Sequence, residues 1–572
     1  MLDRFVSLAV VGSGGAGVVT TGNLLLDAAA RVGWYAYMTR SAGPQIRGGE
    51  AASMIRLGSA PVDAHDDHYD LLVAADWESA GRFAAELPMG AGSIVLGDPR
   101  AGEQPPFLVD SPAHMLDLPM KALADEIPGG RANMVALGAI AKLIGLPDEP
   151  LLAAIRHAIG SKGEAAVEAS FASLRAGRSA APDLPDFPCL EPRPAAPGMR
   201  WNISGNEATG LGALRGGVRF VAAYPITPAT EVLEWMAHGL PRVGGALVQA
   251  EDELASINQI VGASYGGVPS LTATSGPGLA LMTESLGLAV AAEVPVVVVN
   301  VMRGGPSTGI PTKSEQADLN IACYGLHGDA PHLVLAPHSV ADCLMTTQWA
   351  VHLAESLQTA AIVLTDQATG QARAVIERPA ELAFIGQRVV PESVAGYERY
   401  ALTVNGVSPM AIPGMAGGEY TADGLEHSPS GTPSSQAADH QAQLDKRLRK
   451  IAGYNYGEHW AEIDGDADPD VALLTWGSCT GPCREAMARL RAQGWRVRLV
   501  APRLIAPALP GPMAEALAGA PRLLVVEQSH GAQFLRYLRA HYDLPGEVRS
   551  LHQPGPLPVR PGTIVARVTN WS

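Results

Sequence analysis

Cysteine is scarce in this sequence: Cys189, Cys323, Cys343, Cys479 and Cys483 are its only members in 572 residues. Only Cys479 and Cys483, in CTGPC, lie close together, and they lack the companions that a zinc or iron-sulfur site requires. Dispersed thiols of this kind fit a reducing compartment, not a disulfide framework. Aromatic residues are few, at 5%, so the interior has to be built from small and branched aliphatics. Long apolar runs are missing as well. The longest, LGLAVAAEVPVVVVNVM (286–302), is interrupted by Glu293 and Pro295 and is too short to cross a bilayer. Basic residues are outnumbered, 41 to 57, for a net charge of -16. That argues against general affinity for nucleic acid or anionic lipid, which depends on clustered Lys and Arg. The opening MLDRFVSLAVVGSGG has no basic n-region followed by a small-residue cleavage site, so a cytoplasmic location is expected.

The length predicts two to four domains of roughly 100–200 residues each. Residues 177–200, GRSAAPDLPDFPCLEPRPAAPGMR, hold six prolines and no apolar period, which marks a linker. Before it, β-rich runs (SLAVV, YDLLVAAD, GSIVLGD) alternate with helical patterns, predicting an α/β domain over 1–176 with a mostly parallel sheet. After it, VRFVAAYP, SLTATSG, VPVVVVNVM, HLVLAP and AAIVLTD predict a second α/β domain over 201–395. Residues 396–465 are polar and turn-rich, an excursion closing on the charged patch LDKRLRKI. VALLTWG, WRVRLVAP and RLLVVEQ then predict a third α/β unit over 466–572.

The first strand runs into VGSGGAGVVTTG, with Gly12, Gly14 and Gly17 in the spacing of a dinucleotide fingerprint. A glycine turn opening a helix can face an anion with backbone amides. The fingerprint also needs an acidic residue at the end of the second strand. Here WYAYMTR ends in Thr39 and Arg40, which disfavours NAD and leaves NADP open, alongside a glycine turn serving strand-helix packing alone.

Three segments of the second domain carry more chemistry. AAYPITPATE (222–231) sets two prolines around Ile226 and Thr227, a stiff loop at the carboxyl end of a strand, where α/β sheets place ligands. QAEDELASINQIVGASYGG (249–267) concentrates Glu251, Asp252 and Glu253 at a helix start. Acids there also serve as simple caps, worth about 0.3–1 kcal/mol. NVMRGGPSTGIPTKSEQADL (300–319) follows the most apolar strand and combines Arg303, Ser307, Thr308 and Lys313, donors and cations suited to a carboxylate. A salt bridge from Lys313 to Glu315 or Asp318 is the competing role.

With TATSGPG (272–278), these segments resemble the alpha subunit of the 2-oxoacid:ferredoxin oxidoreductases, in the form where a gamma domain is fused ahead of the alpha domain, and most of all the 2-oxoglutarate enzymes. The resemblance extends over VGSGGAGV, QIRGGEAASMIRL, PGMAGGEY, GLEHSPSG, KRLRKI, LLTWGS and VVEQSHGAQ, essentially the whole chain. It implies a Rossmann-like gamma domain, a thiamine-diphosphate pyrimidine-binding domain and a transketolase C-terminal-like domain. In such enzymes one glutamate hydrogen-bonds the cofactor's aminopyrimidine ring and favours the tautomer that deprotonates the thiazolium carbon. Glu253, nine residues before Gly262, has the family's spacing for that role. Tyr224, Pro225, Ile226 and Thr227 would line the cofactor, with Thr227 donating to the 2-oxo acid. Arg303, Ser307, Thr308 and Lys313 would hold substrate, Lys313 as a point charge for the distal carboxylate of 2-oxoglutarate. Gly14, Gly15 and Gly17 would face an anionic part of coenzyme A. No catalytic residue is expected in the C-terminal domain, Glu527 included.

No GDG motif for diphosphate and Mg²⁺ occurs in the sequence, and no four cysteines have cluster spacing. The resemblance places the diphosphate, Mg²⁺ and an iron-sulfur cluster on a separate beta subunit in an α2β2 heterotetramer, and no metal on this chain. It implies oxidative decarboxylation of a 2-oxo acid, with electrons passing through the cluster to ferredoxin and the acyl group to coenzyme A. Pyruvate and branched or aromatic 2-oxo acids are the competing substrates. The competing classes are an NAD(P)-binding oxidoreductase, a non-redox thiamine enzyme and a non-catalytic assembly subunit.

Overall fold

The computed structural model describes residues 5–43, 49–193 and 199–571. Gln45, Ile46, Arg47 and Gly48 of the QIRGGEAASMIRL stretch lie outside them, as do residues 1–4 and residues 194–198 of the linker. The chain forms two compact units: Met1–Ser204 with Gln371–Ala380 and Arg560–Gly562, and Gly205–Gly370 with Glu381–Val559 and Thr563–Ser572.

The first unit is built on an eight-stranded sheet ordered His114–Asp117, Met89–Gly97, Tyr69–Ala74, Phe5–Ser13, Glu50–Gly58, Tyr35–Ala42, Arg373–Glu377, Arg200–Ser204. The first four strands are parallel and the rest pair antiparallel. The expected mostly parallel sheet is therefore half antiparallel. The strand that holds Thr39 and Arg40, Tyr35–Ala42, does not neighbour the first strand, because Glu50–Gly58 lies between them. No side chain at its end can play the ribose-binding part the fingerprint requires. Two strands that the sequence reading did not single out, Arg200–Ser204 and Arg373–Glu377, fall almost wholly within the span expected for the second domain yet complete this sheet. The proline-rich stretch is partly tied down: Trp34 Nε1 donates to the Glu191 carbonyl at 2.8 Å and the Arg193 amide to that of Val32 at 2.8 Å.

The glycine turn is real. Gly15 and Gly17 take positive φ of 92° and 80°, open to glycine at little cost, and Gly17 precedes the helix Val18–Arg31. Its Ser13 amide donates to the Asp76 carboxylate at 2.6 Å. A carboxylate of the chain thus already takes an amide that an external anion would use.

The second unit holds two sheets. The larger is ordered Leu504–Ala506, Leu333–Leu335, Ala360–Asp366, Val296–Met302, Ser270–Thr274, Phe220–Ala223, Ala246–Gln249, parallel except for its first strand. Val296–Met302 is buried at every position, which explains its unbroken apolar reading, since a strand covered on both faces needs no alternation. The smaller sheet runs Ala461–Gly465, Val497–Pro502, Val471–Thr475, Arg522–Glu527, Glu547–His552. Leu474, Trp476, Val500 and Phe534 belong to the same core as Val221, Val298 and Leu364, so the expected second and third domains share one interior.

The expected excursion at 396–465 is anchored. Its helix Ala437–Ala452 brings Lys446 and Lys450 to Glu293 at 2.6 and 2.8 Å, all three fully buried. Burial alone would raise the Glu293 carboxyl; Lys450, Lys446 and Arg399 overcome it and hold the group well below the usual carboxylate range. Among the described residues no helix is long and apolar enough to cross a membrane.

Candidate active site

Parallel strands present their carboxyl ends along one edge, and there the three chemical segments of the sequence emerge. YPITP leaves Phe220–Ala223, the acidic segment follows Ala246–Gln249, SGPG follows Ser270–Thr274, and the arginine loop follows Val296–Met302.

The three consecutive acids take different environments. Glu251 is exposed. Asp252 caps the helix Glu253–Tyr265, its Oδ1 accepting from the Ala255 amide at 2.7 Å, a bond that satisfies one orphan donor of the first turn. Glu253 stands on the buried face with Ser256, Ile257, Ile260 and Ser264, positions spaced as one helical stripe. Leu254, the next residue along, is 49% exposed. Only 8% of Glu253 is exposed, yet among the described residues no donor or cation partners its carboxylate. Its oxygens are not among the buried side-chain atoms that lack a partner, so an otherwise buried residue presents an accessible, unpaired carboxylate at this edge of the sheet.

The surface Glu253 rests on is the start of the helix Gly276–Ala291. A Cβ added to Gly278 would lie 2.7 Å from Glu253 Cγ and 2.1 Å from Thr274 Oγ1. Gly278 is therefore the residue that makes room for the glutamate. Buried Ser275 Oγ, Asn300 Oδ1 and Arg303 Nε lack partners among the described residues, all at this edge of the sheet.

Thr227 is half-buried, and its carbonyl accepts from Arg303 Nη1 at 2.6 Å. Asn206, fully buried, braces the same loop by donating to the Pro228 carbonyl at 3.0 Å. Ile226 packs against the core, Pro225 is half-buried and Tyr224 is exposed. Arg303, 6% exposed, is held where Asp318 attracts it, while burial draws its pKa down. Beyond Arg303 the loop closes as a hairpin through Gly304 and Ile310, with the Gly304 amide donating to the Lys313 carbonyl at 3.0 Å. Ser307 and Thr308 stand exposed at its tip, Ser307 with φ 55°; Lys313 is half-buried at its base. The structure thus brings Thr227 and Arg303 together and sets Ser307 and Thr308 apart from them. Gly14, Gly15 and Gly17 belong to the other compact unit.

Several residues of the site were not singled out from sequence. Asp318 accepts from Asn300 Nδ2 at 2.8 Å; burial pushes its carboxyl up to about 6, against the pull of Asn300 and Arg303. Gln316, fully buried, donates through Nε2 to the Trp476 carbonyl at 2.9 Å and accepts at Oε1 from the Gln528 amide at 2.8 Å. Its own amide donates to the Gln528 carbonyl, and Gln533 Nε2 donates to the Ala317 carbonyl at 2.9 Å. The smaller sheet's domain therefore fixes the segment after the arginine loop. A polar residue closing an otherwise apolar strand, Asn300 after VVVV, was the available signal. Glu527, by contrast, is structural: its oxygens accept from the Phe534 and Leu535 amides at 2.9 and 3.0 Å, capping the helix Gln533–His541.

The parallel sheet thus gathers Glu253, Thr227, Arg303 and the SGPG turn at its carboxyl edge, and comparisons with known proteins define the family to which this arrangement belongs. The family described as "Pyruvate flavodoxin/ferredoxin oxidoreductase, thiamine diP-bdg" matches residues 211–446, "Pyruvate ferredoxin/flavodoxin oxidoreductase" matches 7–180, and "Transketolase, C-terminal domain" matches 459–560. The 2-oxoglutarate oxidoreductase subunit KorA of Mycobacterium tuberculosis is 33% identical over 86% of this chain and 80% of its own. The 2-oxoacid:ferredoxin oxidoreductase subunit alpha of Saccharolobus solfataricus is 29% identical over 92% of each. A solved 2-oxoglutarate:ferredoxin oxidoreductase from Magnetococcus marinus, with 2-oxoglutarate, coenzyme A and succinyl-CoA bound, superposes with a TM-score of 0.92 at 36% identity over 99% of both chains. The chain belongs to the 2-oxoacid:ferredoxin oxidoreductases, as a fused gamma-alpha type alpha subunit. It is an enzyme component with the three α/β domains of that family.

Proposed function

We propose that this chain forms half the active site of a 2-oxoglutarate:ferredoxin oxidoreductase, which converts 2-oxoglutarate and coenzyme A to succinyl-CoA and carbon dioxide and passes the electrons to ferredoxin. The observation that carries the proposal is Glu253, a buried residue packed over Gly278 whose carboxylate has no partner among the described residues. It fits the aminopyrimidine of thiamine diphosphate, a planar ring with a nitrogen for a carboxyl group to hydrogen-bond. When bound, the cofactor supplies the electron sink for decarboxylation. Glu253 then holds or moves the proton at its own carboxyl oxygen. Thr227 orients the substrate's 2-oxo and carboxylate oxygens, and Arg303, fixed by the Thr227 carbonyl, places positive charge beside them. The walls of Ile226 and the core below exclude water.

The sequence has no GDG motif, which supports a beta subunit that supplies the diphosphate site, Mg²⁺ and an iron-sulfur cluster, in an α2β2 assembly working in the cytoplasm. Lys313, Ser307 and Thr308 on the hairpin loop serve the distal carboxylate of 2-oxoglutarate; the amides of Gly14, Gly15 and Gly17 left free by Asp76 serve an anionic part of coenzyme A. The test is coenzyme A-dependent viologen reduction by the chain purified with its beta subunit, over a panel of 2-oxo acids. 2-Oxoglutarate is expected to give the highest kcat/KM; equal or better use of pyruvate would replace the substrate assignment.

A further inference from the structure

The SGPG turn carries a carboxylate on each side. Glu253 lies over Gly278, and Asp318 lies over Gly276, where an added Cβ would meet its two oxygens at 2.7 and 2.8 Å. Asn300 Nδ2 fixes Asp318 at 2.8 Å. Asp318 and Arg303 attract one another, yet among the described residues Arg303 makes no contact ion pair. Its Nη1 is spent on the Thr227 carbonyl, and its buried Nε has no acceptor. The other charged groups of the neighbourhood are Glu315 on the same segment, which burial raises against the pull of the Gly555 amide, with Asp318 adding to the rise and His530 opposing it, Lys313 at the base of the hairpin, and Glu253 across the turn. An anion brought to Arg303 therefore meets a second negative charge already in place.

We propose that Asp318 is a positioning residue that sets the charge of this site: it balances Arg303 in the free enzyme and gives up that balance by taking a proton from solvent when an anionic 2-oxo acid binds. This rests on the functional proposal above. The geometry carries it, because one carboxylate is held by a neutral amide and a glycine turn within the field of the guanidinium that braces the Thr227 carbonyl. With its carboxyl up at about 6, proton uptake near neutral pH costs little. The exchange is non-covalent: one proton moves from solvent to an Asp318 oxygen, and the substrate carboxylate replaces Asp318 as the counter-charge of Arg303.

The test is the KM for 2-oxo acid of the two-chain complex from pH 5.5 to 8.5. In the wild type KM rises with pH above the Asp318 titration. Asp318→Asn should lower KM about tenfold at the alkaline end and flatten the profile, a factor typical of removing one like charge at short range in a partly desolvated site. The change should fall on KM more than on kcat. Asn300→Ala removes a bond that favours the ionised carboxylate, so its KM rise should move to higher pH; this variant decides the matter should Asp318→Asn fail to fold. A wild-type pH profile in both variants overturns the inference while leaving turnover and its dependence on Glu253 intact. A wild-type complex that turns over no 2-oxo acid overturns the functional proposal and the inference with it.

Discussion

Glu253 and Gly278 form the smallest unit on which the site depends. Glu253→Gln keeps the shape and removes the proton-transfer group, so turnover of the complex should fall by about 10²–10⁴, the range of general acid-base catalysis, with the melting temperature held or raised. Gly278→Ala tests the same contact from the other side. A Cβ 2.7 Å from Glu253 Cγ and 2.1 Å from Thr274 Oγ1 has to displace the glutamate, so activity should drop at least about tenfold, as a steady-state assay will measure. Asp318 yields a stability prediction. Its folded carboxyl sits near 6, above the ordinary 3.8, so the fold binds the proton more tightly than the unfolded chain does. That contribution is full below 3.8 and is lost as pH rises through 6. Asp318→Asn should therefore gain in melting temperature over the wild type at pH 7.5 relative to pH 4, by calorimetry.

Elements decide where these residues stand. Sequence pattern placed YPITP and the arginine loop at strand ends and the three acids at a helix start, because an apolar run followed by a stiff or polar turn is visible in one dimension. It did not show that Leu254 stands exposed beside the buried Glu253, since an exposed leucine beside an open site has the same local pattern as a core leucine. Nor could it show that Glu50–Gly58 separates the first strand from the one that holds Arg40, for pairing order is a long-range property. Asp318 and Gln316 escaped for the same reason: their partners Asn300, Trp476 and Gln528 lie 18 to 212 residues away. Gln316→Ala should loosen the segment after the arginine loop and raise KM several-fold with a modest loss of stability, each lost buried hydrogen bond costing about 1 kcal/mol. The anchor of the long excursion is stronger. Glu293→Gln leaves Lys446 and Lys450 buried around an uncharged group and should cost about 3–5 kcal/mol by denaturant unfolding.

At the scale of the whole molecule, the three α/β domains were legible from the alternation of β-rich and helical runs, whereas their boundaries were not. Strands Arg200–Ser204 and Arg373–Glu377 join the first sheet, and the last two domains share one core; a composition profile along the chain records neither. On the proposed function this chain supplies only the pyrimidine side of the site, and the missing GDG motif predicts that the isolated chain binds thiamine diphosphate and Mg²⁺ weakly, by calorimetric titration, until its beta subunit is added. The most direct test of the account is coenzyme A-dependent viologen reduction by the purified two-subunit complex on 2-oxoglutarate, with wild type and Glu253→Gln side by side. Robust turnover by the wild type and a loss of at least about 10²-fold in the variant is the predicted result; full activity of folded Glu253→Gln would contradict it.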